Sequence, residues 1–270
     1  MNYISKLGAL PKFSVGNDFN SKICWLMINN SRSYHVKLSD KLVVKSFVSE
    51  IIGEEFVIKT LFETGDPADL MRSTNFPYPC FLKVNNDSGG TWLLESSGDL
   101  HDGFIRELRS RLERNYGRDK GEWYYQHIPP RVFIEELAFP NRSTALASDY
   151  KFHCVNGEVK FVQHICDRHR GKPREVILDV DGMELCANLD EKFSKGVLSE
   201  LPGTWPTLVN VAQELSKGFP YVRVDLYTDN ERVKFGEMTF HPRNGTYTGR
   251  GQEYLGALLG DIRAVSLALD

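Results

Sequence analysis

The clearest hydrophobic pattern along the chain is an alternation in two segments near the C-terminus, residues 221–227 and 233–239. Alternate residues of a β-strand share a face, so each segment predicts a strand with one apolar and one polar face. The connection between them is polar and rich in turn formers, which predicts an antiparallel hairpin. The polar face of this hairpin would carry Arg223, Asp225, Glu237 and Thr239.

Apolar and alternating segments elsewhere predict more strands, at residues 80–84, 91–94, 132–137, 150–155 and 159–165. The first two of these surround a polar loop that contains glycine. The last two flank Asn156-Gly157, a dipeptide that is the strongest short signal for a hairpin turn.

Apolar residues that recur every three or four positions predict helices at residues 39–60, 102–116, 206–217 and 251–268. Ser39 or Asp40 would cap the first helix, and Gly53 would end or interrupt it. Antiparallel hairpins flanked by helices predict an α+β fold with the helices on one side of a sheet. The apolar face of the last helix would also allow a homo-oligomer to form.

Length and composition are those of an ordinary soluble globular protein, with 270 residues, of which 41% are hydrophobic and 26% charged. This length suits one large domain or two small ones. The net charge of −3 gives no general electrostatic reason to bind nucleic acid. Phosphate binding would therefore need a local cluster of Lys and Arg.

Three features of the sequence predict a cytoplasmic protein. The N-terminal residues lack the apolar core of a signal peptide, and no apolar run approaches the roughly 18 residues that span a membrane. The five cysteines are an odd number without a CxxC pair. Free thiols in a reducing compartment suit that pattern better than disulfides or a zinc site.

The polar face of the C-terminal hairpin combines one cation, two carboxylates and a hydroxyl. Hard oxygen ligands of this kind suit Mg²⁺, which proteins usually hold through one or two carboxylates together with substrate phosphates. The hairpin therefore points to nucleoside triphosphate chemistry. The alternative is a surface hairpin that is stabilised by a cross-strand ion pair.

A possible phosphate loop follows Lys83, at the end of a predicted strand, in the segment Ser88-Gly89-Gly90. An ammonium group and the backbone N–H groups of such a loop can bind a polyphosphate, and glycines allow close backbone approach. The alternative is a tight turn between two strands. The segment is not a Walker A loop, because its lysine precedes the glycines, and it lacks the Rossmann spacing.

Two more pairs of charged residues suggest a nucleotide site. Asp149 and Lys151 share one face of a strand, where Lys151 would meet a terminal phosphate and Asp149 a ribose hydroxyl. The alternative is an ion pair at a strand edge. Glu135 and Glu136 end a strand before a loop, which would either line an adenine pocket or be solvated.

Taken in order, these features resemble the ATP-grasp superfamily: a lysine before a glycine loop, acids at a strand end, Asp-x-Lys, Arg-x-Asp and Glu-x-Thr-x-x-Pro. The chain more closely resembles the teichuronopeptide-biosynthesis (TupA-like) ATP-grasp family, which is associated with polysaccharide biosynthesis. The resembling segments, which cover almost the whole chain, are residues 37–45, 52–56, 83–90, 133–137, 149–157, 222–227 and 235–240.

The resemblance implies an ATP-grasp fold of antiparallel sheets with flanking helices, with ATP held between two subdomains. Residues 1–40 would be a short N-terminal segment, 41–130 the N-terminal lobe with the phosphate loop, and 131–270 the C-terminal lobe with the metal-binding hairpin. The usual N-terminal domain, which often helps to bind the acceptor, would be truncated.

The resemblance also implies roles for individual residues. For the ATP phosphates, Lys41 and Lys83 would hold them, and Ser88, Gly89 and Gly90 would close over them. The adenine pocket would be lined by Glu135, Glu136, Leu137 and Ala138. Asp149 would contact the ribose, and Lys151 would contact the terminal phosphate. Asp225, Glu237 and Thr239 would bind Mg²⁺, and Arg223 would lie over the reacting acyl phosphate. Many ATP-grasp enzymes have Asn where this chain has Thr239, which makes Thr239 the least secure ligand.

The implied activity is that of an ATP-dependent carboxylate–amine ligase working through an acyl phosphate. The family suggests an amino acid joined to a uronic acid of a surface polysaccharide. Arg168 would clamp a substrate carboxylate, or else belong to a solvated basic loop. Among the histidines His153 is the best candidate for a general base, although a structural role is the simpler interpretation.

Three alternative functions fit parts of the same pattern. A kinase would use the same ATP site but stop at phosphoryl transfer. A degenerate, inactive relative would bind nucleotide without turnover. A glycosyltransferase would act through Asp179 and Asp181. The same segment is similar to a calcium loop, but no bidentate Glu follows at EF-hand spacing, so we interpret it as a turn.

Overall fold

Helices and strands are interleaved along the chain. The computed structural model describes residues 8, 16–73, 75–114, 116–140, 148–166, 172–198 and 200–262. The α-helices are α1 (Phe19–Asn29), α2 (Ser33–Ser39), α3 (Val44–Ile52), α4 (Asp102–Leu112), α5 (Tyr116–Lys120), α6 (Trp205–Ser216) and α7 (Gln252–Leu258). Short 3-10 helices occupy Glu54–Phe56, Pro67–Met71, Ser97–Asp99, Trp123–His127 and Pro242–Gly245.

The strands form two separate sheets. The four-stranded sheet contains β1 (Thr60–Thr64), β2 (Cys80–Val84), β3 (Thr91–Leu94) and β4 (Val132–Glu135), in the order β1-β4-β2-β3. The six-stranded sheet contains β5 (Ser148–Val155), β6 (Glu158–Cys166), β7 (Arg174–Leu178), β8 (Ser194–Lys195), β9 (Val222–Thr228) and β10 (Val233–Thr239), in the order β10-β9-β5-β6-β7-β8. Neighbouring strands are antiparallel except for the short pair β7 and β8.

Local signals predicted both hairpins of the larger sheet. β5 and β6 meet at Asn156 and Gly157, which have φ values of 47° and 83°. Positive φ at both central residues is the type I′ geometry that matches the right-handed twist of paired strands. The hairpin of β9 and β10 and the strands β2 and β3 also occur where the sequence predicts them.

The helix predicted at residues 39–60 is wrong in its extent, because α3 covers only the middle of that range. Before α3, the Asp40 carboxylate accepts the N–H of Leu42 at 2.9 Å in a turn that separates α2 from α3. After it, Gly53 adopts φ 109° and ends the helix, and β1 follows. The apolar residues keep a three- and four-residue spacing through the turn before α3 and into β1, so periodicity alone does not show where the helix begins and ends.

Helices cover both faces of the six-stranded sheet, so the prediction that they lie on one side is wrong for this sheet. Phe152 and Val224 pack in one hydrophobic cluster with residues of α3 and α6. On the other face Phe161 packs with Phe19 of α1 and Leu255 of α7. Arg223 and Lys151 lie on this second face, because Phe161 and Arg223 both pair with His153 and Lys151 is two residues from His153 in β5.

A separate hydrophobic cluster joins the four-stranded sheet to α4, through Leu82, Leu108 and Ile134. The predicted boundary between residues 130 and 131 stays a prediction; β4, which follows it, pairs with the strands of this smaller sheet. The predicted last helix, residues 251–268, is wrong in its extent: α7 ends at Leu258, and Gly260 follows it with φ 67°. Residues 263–268 of that prediction lie outside the described residues. None of the helices described has the length and apolar character to cross a membrane.

Candidate active site

A β-bulge brings the polar residues of the C-terminal hairpin together. Glu237 pairs with Asp225 and Thr239 with Arg223, while the register shifts between Phe235 and Glu237. Strict alternation would put Phe235 and Glu237 on the same face. The extra residue of the bulge instead lets Phe235 enter the core while Glu237 joins the polar face.

Arg223 is the centre of this polar face. Its Nε and Nη2 donate to the two carboxylate oxygens of Asp225 at 2.6 Å and 2.8 Å. The same Nη2 contacts Glu237 Oε1 at 2.7 Å and Thr239 Oγ1 at 3.0 Å. Lys151, from the adjacent β5, donates to Asp225 and to Asp149 Oδ1 at 3.1 Å. The structure therefore gathers the residues that the sequence assigned to metal and γ-phosphate.

Opposite charges offset the burial of these carboxylates. Burial alone would raise the pKa of Glu237, but Arg223, Lys151 and Lys41 outweigh it and lower the pKa to about 2. Burial raises the pKa of Asp225, and the cations Arg223 and Lys151 oppose that rise. Burial would lower the pKa of Arg223, yet Asp225 holds it well above its usual value. The cluster therefore contains a permanently charged guanidinium and at least one firmly ionised carboxylate.

Glu135, whose adenine role stays a prediction, lies between two lysines. Its side chain is 4% exposed and forms ion pairs with Lys83 and with Lys45, the latter at 2.9 Å. Burial would raise the pKa of Glu135, but the two lysines lower it. Lys45 was missed from the sequence. The available signal was the segment 37–45, which resembles the ATP-grasp family and ends at Lys45.

The predicted phosphate loop is folded around the carboxylate of Asp87. The backbone N–H of Gly90 donates to Asp87 Oδ1 at 3.0 Å, and Arg111 of α4 binds the other oxygen. A Cβ on Gly90 would lie 2.6 Å from Asp87 Oδ1, so a larger residue here would have to displace the Asp87 carboxylate. Lys41 donates to the main-chain oxygen of Asp87 and thereby ties the loop to the segment before α3.

One cavity of about 250 Å³ joins the loop to the hairpin. Ser88 and Glu122 line it from the side of the smaller sheet, and Lys151, Arg223 and Glu237 line it from the larger one. Ligand sites of small molecules are concave and carry a few convergent polar groups, as this cavity does. It is the candidate active site.

The side chains of this site fit Mg²⁺ and a polyphosphate. Asp225, Glu237 and Thr239 supply hard oxygen ligands around a single guanidinium. Among the residues described, no group of three or more His, Cys, Asp and Glu side chains converges to enclose a metal ion. Two carboxylates and a hydroxyl would leave coordination positions for phosphate oxygens and water, which is the usual arrangement for Mg²⁺.

Several predicted residues lie away from the cavity or outside the described part of the chain. Arg168 falls in residues 167–171, which the structure does not describe. His153 is completely buried, stacks on Phe161 and contacts the Tyr221 hydroxyl at 2.8 Å, which corresponds to a structural histidine. Asp179 accepts the N–H groups of residues 181 and 183, so the acidic segment there forms the expected turn.

The remaining positions of the predicted adenine pocket adjoin the end of β4. The backbone N–H of Glu136 donates to the Lys59 carbonyl at 3.1 Å, while Leu137 is buried and Ala138 half-buried. Their role as an adenine pocket stays a prediction. Sequence reasoning missed Glu122 and Arg243, which also line the cavity, because neither belongs to a recognisable motif.

Comparisons with known proteins concern nearly the whole chain. No curated protein matches it. Similar solved structures include the ATP-grasp ligase PsnB complexed with minimal precursor, at 14% identity and TM-score 0.46, covering 86% of this chain and 62% of that chain. The D-alanine–D-alanine ligase from Helicobacter pylori has 16% identity and TM-score 0.44, covering 94% and 68%. This chain thus spans less than two thirds of the PsnB chain.

The family comparison is the decisive one. The family model described as TupA-like ATPgrasp matches residues 21–262, a range that includes both sheets and every residue of the polar cluster. The resemblance inferred from the order of short motifs is thereby confirmed, together with the α+β, ATP-grasp class of fold. This chain belongs to the TupA-like ATP-grasp family.

Proposed function

We propose that this protein is an ATP-dependent carboxylate–amine ligase. The observation that carries the proposal is the polar cluster of Arg223, Asp225, Glu237 and Lys151, which shares one cavity with Ser88 of the glycine loop. Such a site has cations for a transferred phosphoryl group and oxygens for Mg²⁺ beside each other. Membership of an ATP-grasp family supports ATP as the phosphoryl donor.

The proposed reaction has two steps. A carboxylate oxygen of the acid attacks the γ-phosphorus of ATP, the bond to the β-γ bridging oxygen breaks, and an acyl phosphate and ADP are formed. The nitrogen of the amine then attacks the acyl carbon. Phosphate leaves with the electrons of the C–O bond, the amine loses a proton, and an amide remains.

The residues of the cluster have separate tasks in this reaction. Lys151 and Arg223 would neutralise charge on the transferred phosphoryl group and later on the tetrahedral oxyanion. Lys41 and Lys83 would hold the remaining phosphates, with Ser88, Gly89 and Gly90 above them. Asp225, Glu237 and Thr239 would hold Mg²⁺, whose role is to neutralise the phosphate oxygens. Positioning and charge supply most of the catalysis in phosphoryl transfer.

For the substrates we propose a uronic acid as the carboxylate and an amino acid as the amine, in the synthesis of a surface polysaccharide. Resemblance to the teichuronopeptide-related family supports this choice. We propose that the reaction takes place in the cytoplasm, because it consumes ATP. The free thiols of Cys24, Cys80 and Cys154, all buried, suit a reducing compartment.

Calorimetry with ATP, with and without Mg²⁺, tests the nucleotide site first. We expect ATP binding that depends on Mg²⁺ and that Lys83→Ala weakens. Lys217→Ala is the control, because Lys217 is an exposed lysine directly after α6, and this substitution should leave ATP binding unchanged. If wild-type protein binds no ATP, both the ligase and a kinase are excluded.

Phosphate release with pairs of uronic and amino acids tests the reaction itself. A ligase releases free phosphate and an amide only when both substrates are present. A kinase would give a stable phosphorylated product without free phosphate. Nucleotide binding without turnover on any acid would indicate an inactive relative instead.

A further inference from the structure

A second guanidinium, that of Arg243, lines the same cavity as Arg223 but does not belong to the polar cluster around Asp225. Arg243 lies in the short 3-10 helix that follows β10. Its surroundings combine three separate features: backbone strain, unused hydrogen-bond donors and an excess of positive charge. Together they indicate a binding site for an anion that differs from the phosphoryl group.

The backbone around Arg243 is strained. Arg243 and Asn244 have φ values of 55° and 53°, in the left-handed region that residues other than glycine rarely adopt. Such outliers persist where the surroundings determine the conformation, and they cluster at ligand sites. Helix α1 packs against this segment: Cys24 Sγ lies 3.9 Å from the Asn244 carbonyl oxygen, and the Asn20 side chain donates to the Tyr247 carbonyl at 2.7 Å and accepts the Tyr247 N–H at 3.0 Å.

The guanidinium of Arg243 has donors to spare. Its Nη2 lies 3.2 Å from Oδ2 of the buried Asp190, yet that oxygen accepts no hydrogen bond from the described residues. The Nε of Arg243 is buried and is likewise without an acceptor in the described structure. Because that Nε has no surface open to the cavity, a ligand would use the Nη donors of the Arg243 side chain, which is 32% exposed and lines the cavity.

The local charge favours an anion. Lys192 lies 3.8 Å from the same Asp190 oxygen, so two cations face one carboxylate. Asp190 is fixed in place, because its other oxygen accepts from Thr248 Oγ1 at 3.2 Å and from the Lys192 N–H at 3.3 Å. Asp190 therefore orients Arg243 without neutralising the site.

Tyr247 contacts both guanidinium groups of the cavity. Its hydroxyl interacts with Arg223, while the Arg243 guanidinium lies 5.8 Å from the centre of its ring. Arg223 is paired with Asp225 and Glu237, whereas Arg243 is paired with Asp190, so the two guanidinium groups belong to different ion-pair clusters. An acid whose reacting carboxylate lies at Arg223 would need another anionic group to reach Arg243.

We propose that Arg243, supported by Lys192, binds a second, non-reacting carboxylate of the acid substrate, which therefore carries at least two carboxylates, as a polymer of uronic acids does and a single uronic acid does not. The proposal rests on the proposed ligase function. The planar fork of arginine matches a carboxylate with two parallel hydrogen bonds, which makes Arg243 the residue that selects the substrate.

Calorimetry on the full chain loaded with AMPPNP and Mg²⁺ tests this selection. The probes are linear dicarboxylates from malonate to adipate, each paired with its monoamide, which has the same length and one charge fewer. We expect one chain length to bind wild-type protein about tenfold more tightly than its monoamide, as befits a charge-assisted hydrogen bond. Arg243→Gln should abolish that preference, and Arg243→Lys should retain part of it.

Arg250→Gln is the matched control, because it removes a neighbouring arginine that is 95% exposed and does not line the cavity. It should retain the full preference. Equal affinity of wild-type protein for diacid and monoamide, no binding of any probe, or a preference that survives in Arg243→Gln would each overturn the proposal. If wild-type protein does not bind AMPPNP at all, the proposed ligase function is rejected instead. Failure of the carboxylate site and failure of the proposed function are therefore distinguishable.

Discussion

Arg223 and Asp225, two residues apart in β9, form a bidentate ion pair with N–O distances of 2.6 Å and 2.8 Å. The Asp225 side chain is 2% exposed, and Lys151 binds it as well. Asp225 therefore has two tasks, as a proposed metal ligand and as the counter-charge of a buried arginine. The Glu237 side chain is 38% exposed, so its ion pair with Arg223 contributes less to the free energy of unfolding than the pair of Arg223 with Asp225.

Asp225→Asn should therefore affect stability as well as activity. Removing one partner of a buried pair leaves an uncompensated charge, so we expect the free energy of unfolding to fall by about 3–5 kcal/mol. Urea denaturation measures this loss. Glu237→Gln, in a more exposed pair, should cost about 1 kcal/mol and still abolish Mg²⁺-dependent phosphate release. Equal stability of Asp225→Asn and wild type would show that Asp225 is not the counter-charge of Arg223.

Lys45 and Lys83 share the buried carboxylate of Glu135, which makes their contributions interdependent. Either Lys→Met substitution alone leaves Glu135 one cation, whereas the double substitution leaves a buried carboxylate unpaired. We expect the double variant to lose about 1–3 kcal/mol more than the sum of the single variants. Urea denaturation of all four proteins measures this coupling; additive losses would mean that the two ion pairs act independently.

Much of the arrangement of the candidate active site could be predicted, because its residues lie in local patterns. The alternation in β9 and β10 brought Arg223, Asp225 and Glu237 to one face, and the hairpin turn at Asn156 followed from its dipeptide alone. The bulge before Glu237 could not be predicted, because nothing in a period-two pattern reports an extra residue. Because of this bulge, Phe235 packs in the hydrophobic core while Glu237 lies on the polar face.

Contacts between distant parts of the chain could not be predicted. The ion pair of Glu135 with Lys45, which lies 90 positions earlier, is one of them, and the adenine role of Glu135 stays a prediction. The ion pair of Arg243 with Asp190 joins residues that are far apart in the chain, and the Asn20 side chain of α1 holds the nearby Tyr247 N–H in place. Such pairs leave no periodic signal, and without it only the tertiary structure can reveal them.

Glu122 provides a test through pH. Burial, with the negative charge of Glu237, raises its pKa from an ordinary 4.5 to about 7. The folded state then binds more protons than the unfolded state between these values, so Glu122 lowers stability progressively from pH 4.5 to 7. Above pH 7 the penalty is complete. Glu122→Gln should therefore raise the free energy of unfolding by up to about 3 kcal/mol at pH 8 and leave it unchanged at pH 4.

Urea denaturation at these two pH values checks the difference, and a second Glu→Gln substitution serves as its control. Glu107 lies exposed on α4, so Glu107→Gln should change stability little at either pH. Comparing each variant with wild type at the same pH cancels the contributions of the buried histidines, which titrate in an overlapping range. A gain that is equal at pH 4 and pH 8 would contradict the shifted ionisation of Glu122.

Gly256 of α7 tests how closely the helices on the second face of the large sheet approach each other. A Cβ at this position would lie 2.2 Å from the Asn17 carbonyl oxygen and 2.5 Å from the Asp18 carbonyl carbon, backbone atoms at the start of α1 that cannot rotate away. Alanine is intrinsically favoured over glycine within a helix by about 1 kcal/mol, but overpacking against fixed atoms outweighs that gain. We therefore expect Gly256→Ala to lower the free energy of unfolding by about 1–3 kcal/mol in urea denaturation.

Gly65→Ala is the control, since a Cβ there would meet no described atom within 4 Å, and it should stay within about 0.5 kcal/mol of wild type. If Gly256→Ala were as stable as this control, α1 and α7 would have to lie farther apart than the structure shows.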